Sequence, residues 1–324
     1  MIIPIFVPHC GCPNDCAFCN QRTISGTVAA PTINDAKNII ESHLQTMGGT
    51  ADQIAFFGGS FTGIDVKMQN EYLSLARIYV DKGLVKSIRL STRPDYIDKE
   101  TVLRLKNYGV ENIELGAQSM DDGVLSLSNR GHDQESVRRA AKIIKASGVT
   151  LGLQMMTGLP GDNEKKDMDT AHSFYCLGAS ETRIYPTLVL KGTQLEKMYL
   201  SGTYKPQKLE DAVSVCAQLY EFFEEKGIRV LRVGLPESDN LRENISAGPY
   251  HPSIGELVMS RIIRNKAERI SRAGKSVVIT ADSRYISRVY GNKKCNLIYF
   301  KENGIDARVK AIDGFGTVSV ESEN

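Results

Sequence analysis

The chain of 324 residues is 41% hydrophobic and 24% charged, with a formal net charge of +2. That composition excludes disordered and fibrous classes, and the length suits one large α/β domain with a small appendage or two ordinary domains. No apolar run is long enough to span a bilayer, the N-terminus carries no basic leader, and Cys176, Cys216 and Cys295 are scattered; a secreted disulfide framework is therefore set aside and a cytoplasmic chain without a membrane partner is expected.

In chain order, the apolar run 2–7 reads as a first strand and opens directly onto Pro8-His9-Cys10-Gly11-Cys12-Pro13-Asn14-Asp15-Cys16-Ala17-Phe18-Cys19-Asn20. A cubane iron-sulfur cluster usually takes four Cys ligands. The tight trio Cys12-x3-Cys16-x2-Cys19 points instead to three irons held by protein and a fourth left open, which is where metal chemistry takes place. A structural zinc knuckle that recruits Cys10 or His9 fits the same spacing.

Next, 34–47 reads as a helix capped by Thr32 or Asn34 and closed by Gly48-Gly49. A strand over 53–57 runs into Gly58-Gly59-Ser60-Phe61-Thr62-Gly63, where glycine permits close backbone approach to a ligand, and a helix over 67–82 follows. The alternation continues with a strand 87–91 ending in Thr92-Arg93-Pro94-Asp95, a helix from Asp98 to Tyr108, a strand 112–118, a helix 134–147 and a strand 149–156. A helix over 168–177, a strand 182–190, a helix to Tyr199, a helix 209–226 and a strand 228–235 complete the series. This rhythm implies parallel βαβ units and an open or closed (β/α) barrel. The cysteine loop, Gly58, Gly59, Ser91, Arg93, Gln118 and Gln154 all fall at strand carboxyl ends, so one mouth is expected to gather them.

The tail reads as a basic helix from Arg261, a strand 276–280, a helix 283–290 and strands 296–300 and 305–312, a small α+β module. Residues 261–310 hold thirteen Lys and Arg against four Asp and Glu, a net +9, so the remainder carries −7. Tyr285, Tyr290, Tyr299 and Phe300 interleave with those cations, a pattern that suits RNA contact and equally a solvated, packed module. The expected division is a barrel over 1–255 and a basic module over 256–324.

The Cys trio, the barrel and the Gly-Gly-Ser loop after the second strand resemble the radical S-adenosylmethionine (SAM) superfamily, and within it the catalytic subunit of Elongator. The phrases that carry the likeness are Phe57-Gly-Gly-Ser-Phe61, Ser91-Thr-Arg-Pro-Asp95, Glu114-Leu-Gly-Ala-Gln-Ser119, Arg130-Gly-His132, Gln154-Met-Met-Thr-Gly-Leu-Pro-Gly161, Tyr185-Pro-Thr-Leu-Val-Leu-Lys-Gly192 and Ala247-Gly-Pro-Tyr-His-Pro252. The resemblance implies a 4Fe-4S cluster on Cys12, Cys16 and Cys19, with S-adenosylmethionine chelating the open iron and yielding a 5′-deoxyadenosyl radical. It further implies backbone contacts from Gly58 and Gly59 to the methionine amino group and Ser91 or Arg93 near its carboxylate. Gln118, Arg130 and Gln154 fall where ribose, carboxylate and adenosyl contacts are made, and Phe18 falls where an aromatic packs on adenine. A tRNA substrate and a reductase such as flavodoxin or ferredoxin are the implied partners.

Each residue has a plainer alternative. Gln118 and Gln154 can satisfy backbone groups, Arg93 can pair with Asp95 or Glu114, and Phe18 can be packing. His132, His251, Tyr185 and Lys191 are further candidates for substrate contact, and Cys176 is expected in the core. About 70 residues follow His251, too few for Elongator's acetyltransferase domain, whose nucleotide-binding glycines and preceding Cys-rich segment the sequence also lacks. The alternatives are a radical enzyme acting on a porphyrin or other metabolite, and a non-catalytic, metal-stabilised RNA-binding protein.

Overall fold

The computed structural model describes residues 1–7, 16–20 and 30–323. Seven strands, β1 (Ile2–Val7), β2 (Ala51–Gly58), β3 (Val85–Thr92), β4 (Val110–Gln118), β5 (Thr150–Thr157), β6 (Glu181–Pro186) and β8 (Arg229–Val233), form one all-parallel sheet in that order. The short β7 (Val189–Leu190) leaves the sheet and pairs antiparallel with β9 (Ile245–Ala247).

Crossover helices cover the outer face: α1 (Ile33–Thr46), α2 (Val66–Asp81), α3 (Lys99–Asn107), α4 (Asp122–Leu127), α5 (Gln134–Ala146), α6 (Glu164–Cys176), α7 (Gln194–Leu200) and α8 (Leu209–Glu225). All but α8 start at side chains that accept the first free amides: Thr32 in a capping box with Asp35, then Asp65, Asp98, Asp121, Asp133, Asn163 and Thr193. Period-two alternation sends Ile3, Ile54, Phe56, Ile88, Leu90, Ile113, Leu115, Leu151, Leu153 and Ile184 into a core shared with the helices. The intervening positions include Arg89, Glu114, Gln154, Glu181 and Arg183 among apolar ones such as Phe6, Phe57 and Met156, so charged groups stand on the inner face of the sheet.

The sheet is curled. Arg183 on β6 lies 5.1 Å from the ring centroid of Phe57 on β2, whereas four strand spacings in a flat sheet would separate them by about 19 Å. The result is a partial (β/α) barrel.

After α9 (Asp239–Glu243), the long α10 (Ile254–Arg272) leads into a three-stranded sheet of β11 (Ala307–Ala311), β10 (Val277–Ala281) and β12 (Val318–Ser322), with α11 (Ile286–Tyr290) and α12 (Cys295–Glu302) beside it. The N-terminal half of α10, through Ile254, Val258 and Ile262, belongs to the main core; Ile263 and Ala267 belong to a second core with Val277, Ile279, Val289 and Phe300.

Three expectations are corrected. The run 296–300 is helix α12, because Asn296 turns inward to Ser260 and Val289 and its neighbours continue with helical periodicity. The strand expected over 182–190 breaks after Pro186, whose missing amide suits a strand end, and resumes as β7. Cys176 is exposed at the end of α6 rather than in the core. The short α4, α9, β9 and β12 were not anticipated. Among the described residues, no helix is long and apolar enough to cross a membrane.

Candidate functional site

A cavity of about 590 Å³ opens at the carboxyl edge of the large sheet, where the βα loops of such barrels converge. It is lined by every described residue that the sequence singled out for cofactor contact: Cys16, Phe18, Cys19, Gly58, Gly59, Ser91, Arg93, Gln118, Arg130 and Gln154. Cys12 lies outside the described residues, as do Cys10 and His9.

The cysteine segment is held by backbone. The Ala17 amide donates to the Ser128 carbonyl at 2.9 Å, and the Leu195 amide to the Ala17 carbonyl at 2.7 Å, which ties the segment to the loop after α4 and to α7. Phe18 packs on Val189, Leu195 and Tyr204 while still lining the cavity. Cys16 is buried, and its Sγ accepts a hydrogen bond from Arg130 Nη1 at 3.3 Å.

Across the mouth, Gly58 adopts φ +113°, and a Cβ there would stand 2.7 Å from the Val7 carbonyl oxygen. Only glycine permits that approach. A hydroxyl cluster fixes the loop beyond it: Ser60 Oγ and Thr62 Oγ1 lie 2.7 and 2.5 Å from Thr92 Oγ1. Ser60 Oγ also accepts from the Arg93 amide at 3.2 Å. The Arg93 guanidinium is clamped by Asp95 through two 2.9 Å bonds, one of the two pairings the sequence allowed.

Gln118 and Arg130 carry the clearest sign of an intended ligand. Gln118 ends β4 in the left-handed region, φ 69°, just after a register shift between β4 and β5. Its Oε1 and the Arg130 Nε are buried with no hydrogen-bond partner among the described residues. Arg130 Nη2 reaches the Gly116 carbonyl at 2.6 Å, which requires glycine at 116, since a Cβ there would lie 2.9 Å from that nitrogen. Polar atoms are rarely buried unpaired in a finished core, so these two are set to receive something.

Beneath them lies an ionic network that the sequence reading missed. Glu114 accepts from Arg183 Nε at 2.6 Å, from Gln154 Nε2 at 2.5 Å and from Arg89 Nη1 at 3.4 Å. Arg89 also bonds Glu181, which pairs with Arg229. Gln154 is therefore oriented by Glu114 as well as by a weaker 3.4 Å bond to Ser91. The available signal was charge at central positions of parallel strands, at Arg89, Glu114 and Arg183. Burial disfavours the Arg183 charge, but Glu114 and then Tyr185 outweigh it and raise its pKa. Burial pushes the Tyr185 phenol, which also lines the cavity, up to about 12.

His132 sits behind this wall, its Nε2 3.3 Å from the Ala117 carbonyl. Burial, then Arg130 and Arg93, hold its pKa down at about 4, so it is neutral at physiological pH. Two other candidates lie elsewhere: His251 accepts from the Ser253 amide through Nδ1 at 3.1 Å, and the Lys191 ammonium donates to the Glu243 carbonyl at 2.8 Å.

The donor set fits an iron-sulfur cluster with a polar organic ligand beside it: soft thiolates at one wall, a glycine cradle at another, and unpaired amide and guanidinium atoms between. A cysteine-bearing mouth at the carboxyl edge of a partial (β/α) barrel is the arrangement expected of an enzyme that works through a bound cofactor. The radical SAM superfamily profile matches residues 6–174 and the radical SAM C-terminal domain profile residues 180–264; the chain belongs to the radical SAM superfamily of enzymes.

Within it the chain is homologous to Elongator-type proteins. It is 30% identical to an uncharacterized protein of Methanocaldococcus jannaschii, over 76% of this chain and 73% of that one. It is 26% identical to the tRNA uridine(34) acetyltransferase of Methanocaldococcus infernus, over 66% and 44%, and 28% identical to Elongator complex protein 3 of Homo sapiens, over 68% and 43%. The chain thus aligns with less than half the length of these last two. In fold it is similar to the archaeal Elp3 of Methanocaldococcus infernus, with a TM-score of 0.65 and 21% identity over 84% of this chain and 63% of that one.

Proposed function

We propose that the chain is a cytoplasmic radical SAM enzyme that holds a 4Fe-4S cluster on Cys12, Cys16 and Cys19, takes an electron from a flavodoxin- or ferredoxin-type reductase, and modifies tRNA. The observation that carries this reading is that one cavity brings cysteine thiols together with Gln118 Oε1 and Arg130 Nε, which have no hydrogen-bond partner among the described residues. When bound, cluster and S-adenosylmethionine supply reductive cleavage of the sulfonium and a 5′-deoxyadenosyl radical that takes a hydrogen atom from substrate.

The chain's own residues bind and orient. Cys16 and Cys19, with Cys12, would hold the cluster, and the Arg130 hydrogen bond to Cys16 Sγ would offset negative charge on that ligand sulfur. Gly58 and Gly59 let backbone approach the methionine amino group. Ser91, Arg93 and Arg130 serve the carboxylate end, Gln118 and Gln154 the ribose and adenosyl portion, and Phe18 offers an apolar face to adenine. Glu114 holds Gln154 and Arg183 in place. The proposed division between a barrel over 1–255 and a basic module over 256–324 falls inside α10, whose first half packs in the barrel core and whose second half packs in the module.

The tRNA assignment draws on the relatives that act on tRNA uridine, and a comparison of substrates tests it. Reduced, cluster-loaded protein is incubated with S-adenosylmethionine and tRNA, or with a metabolite pool containing porphyrinogens. We expect 5′-deoxyadenosine to rise several-fold over the uncoupled rate with tRNA alone. Stimulation by the metabolite pool and not by tRNA would overturn the assignment.

A further inference from the structure

The basic module does not present its thirteen cations evenly. Arg269, Arg272, Arg284, Arg288 and Arg308 are already neutralised, by Glu221, Glu268, Asp282, Glu256 and Glu323 at 2.5–2.9 Å. Of those left, a subset gathers at one junction.

Asn296 is 1% exposed and donates through Nδ2 to the Ser260 carbonyl and hydroxyl at 3.0 Å and to the Val289 carbonyl at 3.1 Å. These bonds pin the start of α12 against residue 260 of α10, with Arg261 in electrostatic range of Cys295, which Lys293 and Lys294 immediately precede in the chain. One turn along α10, Arg264 lies over the Tyr299 ring, 4.5 Å from its centroid. Neither Arg261 nor Arg264 has a carboxylate within ion-pair distance among the described residues; Glu268, in electrostatic range, already bonds Arg272.

Two half-buried guanidiniums thus face each other's charge with no acid between them. Lys293 and Lys294, both exposed, are held consecutively in the left-handed region at φ 52° and 62°, where side chains other than glycine are strained. Like charges packed together are unfavourable in the free protein, and a polyanion relieves that repulsion. Arginine at the centre matches phosphate oxygens through its planar fork, and a guanidinium stacked on tyrosine presents a flat surface to an unpaired base.

We propose that Arg261, Arg264, Lys293 and Lys294 form a phosphate-binding patch that docks RNA on the C-terminal module, outside the cavity. This deepens, and rests on, the tRNA reading above. Arg261 and Arg264 lie at the end of the matched radical SAM C-terminal domain, and Lys293 and Lys294 lie beyond it. Its job is substrate capture, with affinity that depends on salt and little on base sequence.

The test is a binding titration of transcribed tRNA against the cluster-loaded full chain at a series of salt concentrations. Arg261→Gln with Arg264→Gln should weaken binding by roughly tenfold or more, and should reduce the slope of log affinity against log salt by about 0.7–0.9 per cation removed. Lys275→Gln with Lys310→Gln, which removes the same charge elsewhere on the module, should change affinity by less than about twofold. A third variant, Lys293→Gly with Lys294→Gly, guards against misfolding. Glycine relaxes a left-handed backbone, so melting temperature should hold or rise while the salt slope falls.

Unchanged affinity and slope in the two patch variants would overturn the proposal, as would an equal loss in the Lys275 and Lys310 control. Displacement of tRNA by polyglutamate at matched charge would overturn RNA in favour of an acidic protein. Uncoupled 5′-deoxyadenosine formation, measured in parallel, should be the same in all variants. Its absence from the unsubstituted protein would count against the enzymatic reading and leave the patch result standing.

Discussion

Gln118 concentrates the site's logic in one residue. A glutamine in the left-handed region at a strand end costs on the order of 1 kcal/mol relative to an unstrained backbone, and its buried Oε1 finds no partner among the described residues. Both costs are what the proposed ligand-binding role of the position would require. Gln118→Gly should therefore stabilise the fold by roughly 0.5–1 kcal/mol in denaturant titration while weakening S-adenosylmethionine binding to the cluster-loaded protein. A loss of stability would show that the backbone there is unstrained. The sequence pointed to Gln118, Gln154 and Arg130 through their strand-end or motif positions. Nothing in it revealed that Arg130 would lie against Cys16, because that contact spans 114 positions.

At the scale of elements, the loop from β5 into α6 carries a carboxyl pair whose energetics depend on pH. Asp167 is 2% exposed, and burial together with Asp162 pushes its pKa up to about 10. Burial likewise raises Asp162, although amide donors oppose the shift. The folded pair therefore retains a proton at neutral pH that both carboxyls release on unfolding. Stability from this pair is fully present below the unfolded value of 3.8 and is lost as pH rises toward about 10. Asp167→Asn fixes the neutral form, so its melting temperature should exceed that of the unsubstituted protein by a margin that grows from pH 5.5 to pH 8.5. The underlying limit is about 1.4 kcal/mol per pH unit. A margin independent of pH would exclude the shared proton.

The same scale shows what the sequence could and could not yield. The strand–helix rhythm was legible because capping residues and strand-end glycines punctuate it, as at Thr32, Asp98 and Gly58. The run 296–300 was not, because five residues with mixed polarity fit both periods and only the inward bonds of Asn296 decide between them. The lumen network was equally opaque: Arg89 meets Glu181 across 92 positions, a pairing set by sheet curvature.

For the whole molecule, an acidic body with a basic extension meets at α10, whose first half packs in the barrel core and second half in the module. The charge asymmetry could be counted from the sequence, but which cations are free and which are neutralised could not, since the acids that pair with them lie 2 to 48 positions away. The molecule as a whole stands on one claim: the mouth of the partial barrel holds a reducible cluster beside S-adenosylmethionine. Anaerobically reconstituted protein and its Cys16→Ala variant, assayed for iron, sulfide and 5′-deoxyadenosine after reduction with S-adenosylmethionine, test that claim most directly. The account predicts about four iron and four sulfide per chain and 5′-deoxyadenosine formation in the unsubstituted protein, with product abolished in the variant. A fully loaded cluster that yields no 5′-deoxyadenosine, or a variant that yields it undiminished, would contradict the account.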